Sequence, residues 1–225
     1  MATGLKIYND SGTIQIDENW RNYGFRQKIS MTVTTSNIVG SGYPSQIAYS
    51  LVVAGTPALL CACRSPSQYP FRLHSYYSGG TWTINWLFVH DEGDSGTYEP
   101  STYTATIDFF IFDTLEGSYS TVGLKVFNAS GALVFHSDAR MMKIGALQPC
   151  TSGFGWAAGR EYAPLIMQIP AGGIMVTGVG LRSAQYCVRC NTANINSKLY
   201  YNNSAGSLAS SVGAGLYAAI DVTGL

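Results

Sequence analysis

The chain writes one phrase twice. Residues 4–21 read GLKIYNDSGTIQIDENWR and residues 123–140 read GLKVFNASGALVFHSDAR. Every matched residue lies 119 positions after its counterpart, from Gly4 and Gly123 at the start to Arg21 and Arg140 at the end. An ungapped match that keeps Gly, Leu, Lys, Asn, Ser, Gly and Arg at fixed offsets constrains the fold more than any other feature, because whatever the first copy forms the second should form too. Within each copy apolar and polar residues alternate: Leu5 and Ile7 point one way, Lys6 and Tyr8 the other, and Ile14 and Ile16 resume the period. A period of two marks a half-buried strand. Between the runs stand Asn-Asp-Ser-Gly at 9–12 and Asn-Ala-Ser-Gly at 128–131. Asn side chains bond the backbone of a turn, and Gly takes the left-handed conformation that closes it. Each copy is therefore expected to be a β-hairpin. Leu5 and Leu124, Ile7 and Val126, Ile14 and Leu133, and Ile16 and Phe135 are the expected buried counterparts.

Later echoes extend the repeat. CRS at 63–65 matches LRS at 181–183, HSYYSGG from His74 matches KLYYNNSAG from Lys198, and TYTATIDFF from Thr102 matches GLYAAIDV from Gly215. Their order is preserved, which divides the chain into modules at residues 1–118 and 119–225. A repeat this long is the size of a small domain, not of a solenoid unit. The rest also reads as strands. TWTINWLFV places Trp82, Ile84, Trp86 and Phe88 on one face, and TATIDFFIF is apolar enough to be buried on both sides. Turn signals such as GSGYPS, YSGG and NNSAG separate the runs, and no stretch sustains a helical period. The expected fold is all-β: two tandem, duplicated β-sandwich or jelly-roll-like modules, each opened by a hairpin.

Charge narrows the function. Only 12% of residues are charged, with 13 basic against 13 acidic, where about 25% is usual. No basic stripe exists to neutralise phosphates, which excludes a nucleic-acid partner. A neutral, charge-poor surface favours association with its own kind. The opening MATGLKIYND enters a strand at once, without the basic start and apolar run of a signal peptide, and no segment has the length of a membrane span. Synthesis in a cytosol is expected, with Cys61, Cys63, Cys150, Cys187 and Cys190 as thiols.

Three constellations invite chemistry. GDSG at 93–96 resembles the nucleophile loop of chymotrypsin-like serine proteases, but only His74 and His90 lie upstream, and no His–Asp–Ser order places Ser95 in a second lobe. It reads as a turn, His90–Glu92 beside it reads as a solvated loop, and no catalytic residue is assigned. The pairs Cys61/Cys63 and Cys187/Cys190 supply enough thiols for zinc or an iron–sulfur cluster, which is the alternative reading of the chain as a metal-containing protein. Their apolar flanks favour buried thiols acting as small hydrophobes, so no cofactor is expected. The remaining candidates are aromatic: Tyr69, Tyr76, Tyr77, Trp82 and Tyr98 are the expected receptor or subunit contacts, because Tyr and Trp supply contact area at low entropy cost.

The hairpin phrases resemble a motif that opens small β-rich proteins of tailed-bacteriophage tails: Gly-Leu-x-Val/Ile-Tyr/Phe-Asn-x-x-Gly-x-Leu/Ile-x-Phe/Ile, then a polar stretch and an Arg. The resemblance implies a virion structural protein of the tail tip, baseplate or fibre, made in the host bacterial cytoplasm. It implies a homo-oligomer, a trimer by preference, that contacts other tail proteins and touches a host surface glycan or pilus. It implies no catalytic residue, and a hydrolase reading lacks a complete constellation. Here the motif occurs twice and fibre-like low-complexity repeats are missing, which argues against a long fibre shaft.

Overall fold

The computed structural model describes residues 6–8, 14–17, 22–35, 46–64, 71–89, 103–115, 119–150, 152–168, 171–176, 180–190, 194–201 and 215–225. These residues are all-β, with no helix among them. The strands are β1 (Lys6–Tyr8), β2 (Ile14–Asp17), β3 (Tyr23–Thr35), β4 (Gln46–Ala54), β5 (Leu60–Arg64), β6 (Phe71–Ser78), β7 (Thr81–Val89) and β8 (Tyr103–Thr114). They continue as β9 (Lys125–Phe127), β10 (Leu133–His136), β11 (Lys143–Pro149), β12 (Phe154–Gly155), β13 (Tyr162–Gln168), β14 (Ala171–Val176), β15 (Gly180–Cys190), β16 (Asn194–Tyr201) and β17 (Leu216–Asp221).

The repeated phrase forms two like hairpins. Lys6, Ile7 and Tyr8 lie opposite Asp17, Ile16 and Ile14, and their counterparts Lys125, Val126 and Phe127 lie opposite His136, Phe135 and Leu133, with the register shift at the same step. In the second turn the Asn128 side-chain oxygen accepts from the Ser130 N–H (3.1 Å), the Ser130 hydroxyl (2.8 Å) and the Ala132 N–H (2.8 Å). Gly131 adopts φ +80° there, the left-handed geometry its residue type suggests. Burial in the second hairpin alternates, but on β10 the buried residues are not the expected Leu133 and Phe135. Val126, Val134 and His136 are the buried residues, Leu133 and Phe135 are half-buried, and Leu124 is exposed. The register shift leaves Val134 without a partner on β9, as the extra residue of a bulge. The turn at 9–13 and the side chains of β1 and β2 lie outside the described residues.

Two three-stranded sheets repeat the same correspondence. Their orders are β3-β8-β5 and β11-β17-β13. In the first, Phe25 lies opposite Phe112 and Gln27 opposite Ile111, leaving Arg26 as a bulge; in the second, Ile144 lies opposite Ile220 and Ala146 opposite Ala219, leaving Gly145. On the third strands Cys61 faces Ile111 as Pro164 faces Ala219. Asp113 therefore stands where Asp221 stands, and FFIFDT at 109–114 matches YAAIDV at 217–222. The sequence match of Asp108 with Asp221 is out of step with this ladder. The CRS and LRS echo is also out of step, since Cys63 pairs with Phe109 of β8 whereas Leu181, on β15, pairs with Met175 of β14.

The seven-stranded sheet runs β12-β16-β15-β6-β7-β4, with β14 also on β15, and its middle is the contact of Val188 with Phe71. β4 falls between β3 and β5 in the chain and pairs with β7; β12 falls between β11 and β13 and pairs with β16. Read from either edge, the order is the same. HSYYSGG starts on β6 and KLYYNNSAG on β16, strands that do not mirror each other across this centre.

Residues on both sides of position 118 fill two shared cores. Ile107, Phe109 and Ile111 on one face of β8 join Cys61, Cys63, Ile84, Cys190, Ile195 and Tyr217. Phe110 and Phe112 on its other face join Ala62, Ala163, Leu165, Ala218 and Ile220, all from the two three-stranded sheets. Burial of β8 on both sides is what its uninterrupted apolar run predicts, and each such Ile or Phe contributes about 1.5–3 kcal/mol. The two small sheets meet at both margins. β5 runs beside β13, while Gly24 bridges Met141 through Phe25 N–H to Arg140 O (2.6 Å) and Met142 N–H to Tyr23 O (2.8 Å).

Candidate functional site

The predicted aromatic contacts divide between two faces. β6 turns into β7 through Gly79 (φ +58°) and Gly80 (φ +83°), the pair of positive φ values that a two-residue type I′ hairpin needs. Tyr77 lies opposite Trp82, which lies opposite Val53; Tyr76 lies opposite Thr83, which lies opposite Val52. Val53 is buried, and Trp82 packs on the first core with its indole N–H donated to Thr56 O at 2.7 Å. Tyr77 rests 5.6 Å from the Trp82 ring. Trp82 is thus an anchor of the sheet, whereas Tyr76 and Val52 are exposed on the opposite face. Tyr69, Tyr98, His90 and Ser95 lie outside the described residues.

The cysteines sit in the core. Cys61, Cys63 and Cys190 belong to one apolar cluster. Burial pushes the Cys61 and Cys63 thiols far up and that of Cys190 to about 12. Thiols so placed are poor nucleophiles and poor metal ligands, since both roles need the thiolate. Among the described residues no three His, Cys, Asp or Glu side chains converge to hold a metal ion. Cys187 lies on β15, with its side chain outside the described residues.

Two acidic centres escaped the sequence reading, because their partners are distant in the chain. Asp113 accepts from the Thr56 N–H (3.1 Å), the Thr56 hydroxyl (2.5 Å), the Thr114 N–H (2.8 Å) and the Arg26 guanidinium (3.2 Å). This ties the β4–β5 loop to the end of β8. Asp108 binds Ser30 (2.7 Å), Lys28 (3.1 Å) and Arg64 (3.2 Å), and Arg64 continues to Glu161 at 2.7 Å. Burial raises the Asp108 carboxyl, but the bonds from Ser30, Lys28 and Arg64 outweigh it and hold the group below the usual range. Lys28 and Arg64 also lie over the Phe110 ring, at 5.3 and 5.6 Å.

The matching surface of the other small sheet is apolar. Leu147 faces Ala218 as Lys28 faces Phe110. Ile144, Leu147 and Met167 are 53%, 55% and 58% exposed. Val122, Leu124 and Phe127 add a second apolar group at the hairpin of β9 and β10. One position in the fold therefore carries a closed ion network in the first half and bare hydrocarbon in the second. No helix among the described residues is long and apolar enough to cross a membrane. No protein-family model matches the chain, and neither the curated proteins nor the solved structures contain a match.

Proposed function

We propose that the chain is a structural subunit of a bacteriophage tail, at its tip, baseplate or fibre, built from two copies of one β module and assembled as a homo-oligomer. In this reading it is made in the bacterial cytoplasm and carried in the virion, and it performs no catalysis. The observation that carries the assembly is the exposed row Ile144, Leu147 and Met167 on a chain with few charges. Apolar groups of this kind mark contact surfaces, and a closed ring of identical contacts buries them in every subunit. The matched bulges at Arg26 and Gly145 support the two-copy origin, and the repeated hairpin phrase supports the tail assignment. Tyr76, on the far face of the large sheet, is left free for a host glycan or pilus. Purified virions of the source phage test the assignment by peptide mass analysis. Recovery of this chain in the tail fraction is expected, in a fixed ratio to other tail proteins. Its absence from intact particles would overturn the assignment.

A further inference from the structure

We infer that the cleft beside Arg26 is a binding site for a carboxylate carried on a small polar ligand. The site does not depend on the tail assignment. Arg26, Thr56, Asp113, Thr114 and Tyr119 line a cleft of about 310 Å³ where the start of β3 and the end of β8 meet the β4–β5 loop, at the lower end of the roughly 300–1,000 Å³ typical of small-ligand sites.

The bulge is the first reason. A β-bulge re-aims one side chain out of the ladder, and bulges are enriched beside active sites. In the second small sheet the bulged residue is Gly145, and a Cβ there would stand 2.5 Å from the Tyr162 ring. That copy of the bulge is filled by packing. In the first, the same bulge projects the Arg26 side chain, 45% exposed, beside an open cleft.

The hydrogen-bond inventory is the second reason. One nitrogen, Nη1, makes the contacts of Arg26: it donates to Ala54 O at 2.8 Å and to Asp113 Oδ2 at 3.2 Å. Its two hydrogens are then in use, while Nε–H and the Nη2 hydrogens have no partner among the described residues. That edge of a guanidinium takes a carboxylate through two parallel bonds. Asp113 cannot close over it, because its oxygens already hold Thr56 and Thr114. The ion pair holds the fork in place and cancels much of its charge, so a singly charged carboxylate suits the site better than a phosphate dianion. The Tyr119 phenol, stacked on His136 at 4.8 Å, supplies a neutral hydroxyl at the rim.

Such a carboxylate comes from an acidic sugar or from the free end of a peptide. Isothermal titration of the full chain separates these with glucuronate against glucose, and with a free-acid tripeptide against its amide. The expected result is binding of at least one carboxylate ligand, none of its neutral twin, and a loss of about tenfold or more in Arg26→Gln. Circular dichroism verifies that this variant is folded. Tyr119→Phe, which removes only a hydroxyl, is a second variant and should weaken binding severalfold. Equal binding of the neutral twins, no binding of either acid, unchanged affinity in both variants, or tighter binding of inorganic phosphate would each overturn the site.

Discussion

Replacing Asp113 by alanine should cost far more than the same change at its counterpart Asp221. Asp113 is 5% exposed and accepts the Thr56 N–H and hydroxyl, the Thr114 N–H and the Arg26 guanidinium. Removing it strands the Thr56 donors in a partly buried loop, at about 1–3 kcal/mol for a buried donor left unmet. The Arg26 pair adds under about 1 kcal/mol, because its side chain is nearly half in water. The expected total is about 3 kcal/mol. Asp221 binds the Thr223 N–H and Arg160, both at 3.0 Å, but Thr223 is exposed and the Arg160 side chain is 51% exposed. Water replaces those partners, so the loss should be about 1 kcal/mol. For a chain of this size each kcal/mol shifts Tm by about 2–4 °C, giving about 6–12 °C against about 2–4 °C. Thermal melts at one protein concentration measure both, and urea titration with an unchanged m-value confirms that stability alone has moved. Equal shifts in the two variants, or a shift at Asp113 no larger than that predicted for Asp221, would refute the reasoning.

Other consequences concern acid, thiols and packing. The Asp108 carboxyl is held below its ordinary value, so its contribution is present above the unfolded value, about 3.9, and is lost as pH falls through the lower folded value. Melts in that acid range should show Tm dropping, and Asp108→Asn should flatten the drop; an unchanged slope would contradict the network. Cys61, Cys63, Cys150 and Cys190 are all buried, so iodoacetamide should label none of them in the native chain and all of them in denaturant. Elemental analysis finding stoichiometric zinc or iron would revive the metal reading. Gly145→Ala drives a methyl into the Tyr162 ring, which is wedged beside Phe154 and Trp156, at about 1–3 kcal/mol. Gly155→Ala, with nothing within 4 Å of its new carbon, is the control, and equal melts for the two would count against the packing.

Local features were legible in the sequence and distant ones were not. The two hairpins could be read because alternation and an Asn/Gly turn act within about a dozen residues. The two-sided burial of β8 followed from a run with no polar face. The bulges left no such signal: Val134 is apolar like its neighbours, yet it is the residue that drops out of the ladder and is buried. The same weakness misplaced the C-terminal echo, because an Asp follows an apolar residue both at Asp108 and at Asp113, and only the ladder chooses Asp113. Trp82 and Tyr76 looked alike as exposed aromatics, but strand parity sends one to the core and the other to solvent. The Arg26 cleft was invisible because Arg26, Thr56 and Asp113 meet only through the pairing of β3 with β8 and the return of the β4–β5 loop.

The proposed assembly rests on the exposed apolar residues of β11 and β13, and native mass spectrometry of the full chain tests it most directly. The subunit mass is 24.2 kDa, and the expected species is a closed trimer at three times that value, burying about 2,000 Å² or more at each contact. Charge on the row, in the double variant Leu147→Glu and Met167→Glu, should return the chain to its subunit mass with its strand signal intact. A wild-type chain that stays at 24.2 kDa at micromolar concentration, with Ile144, Leu147 and Met167 open to water, would contradict the account.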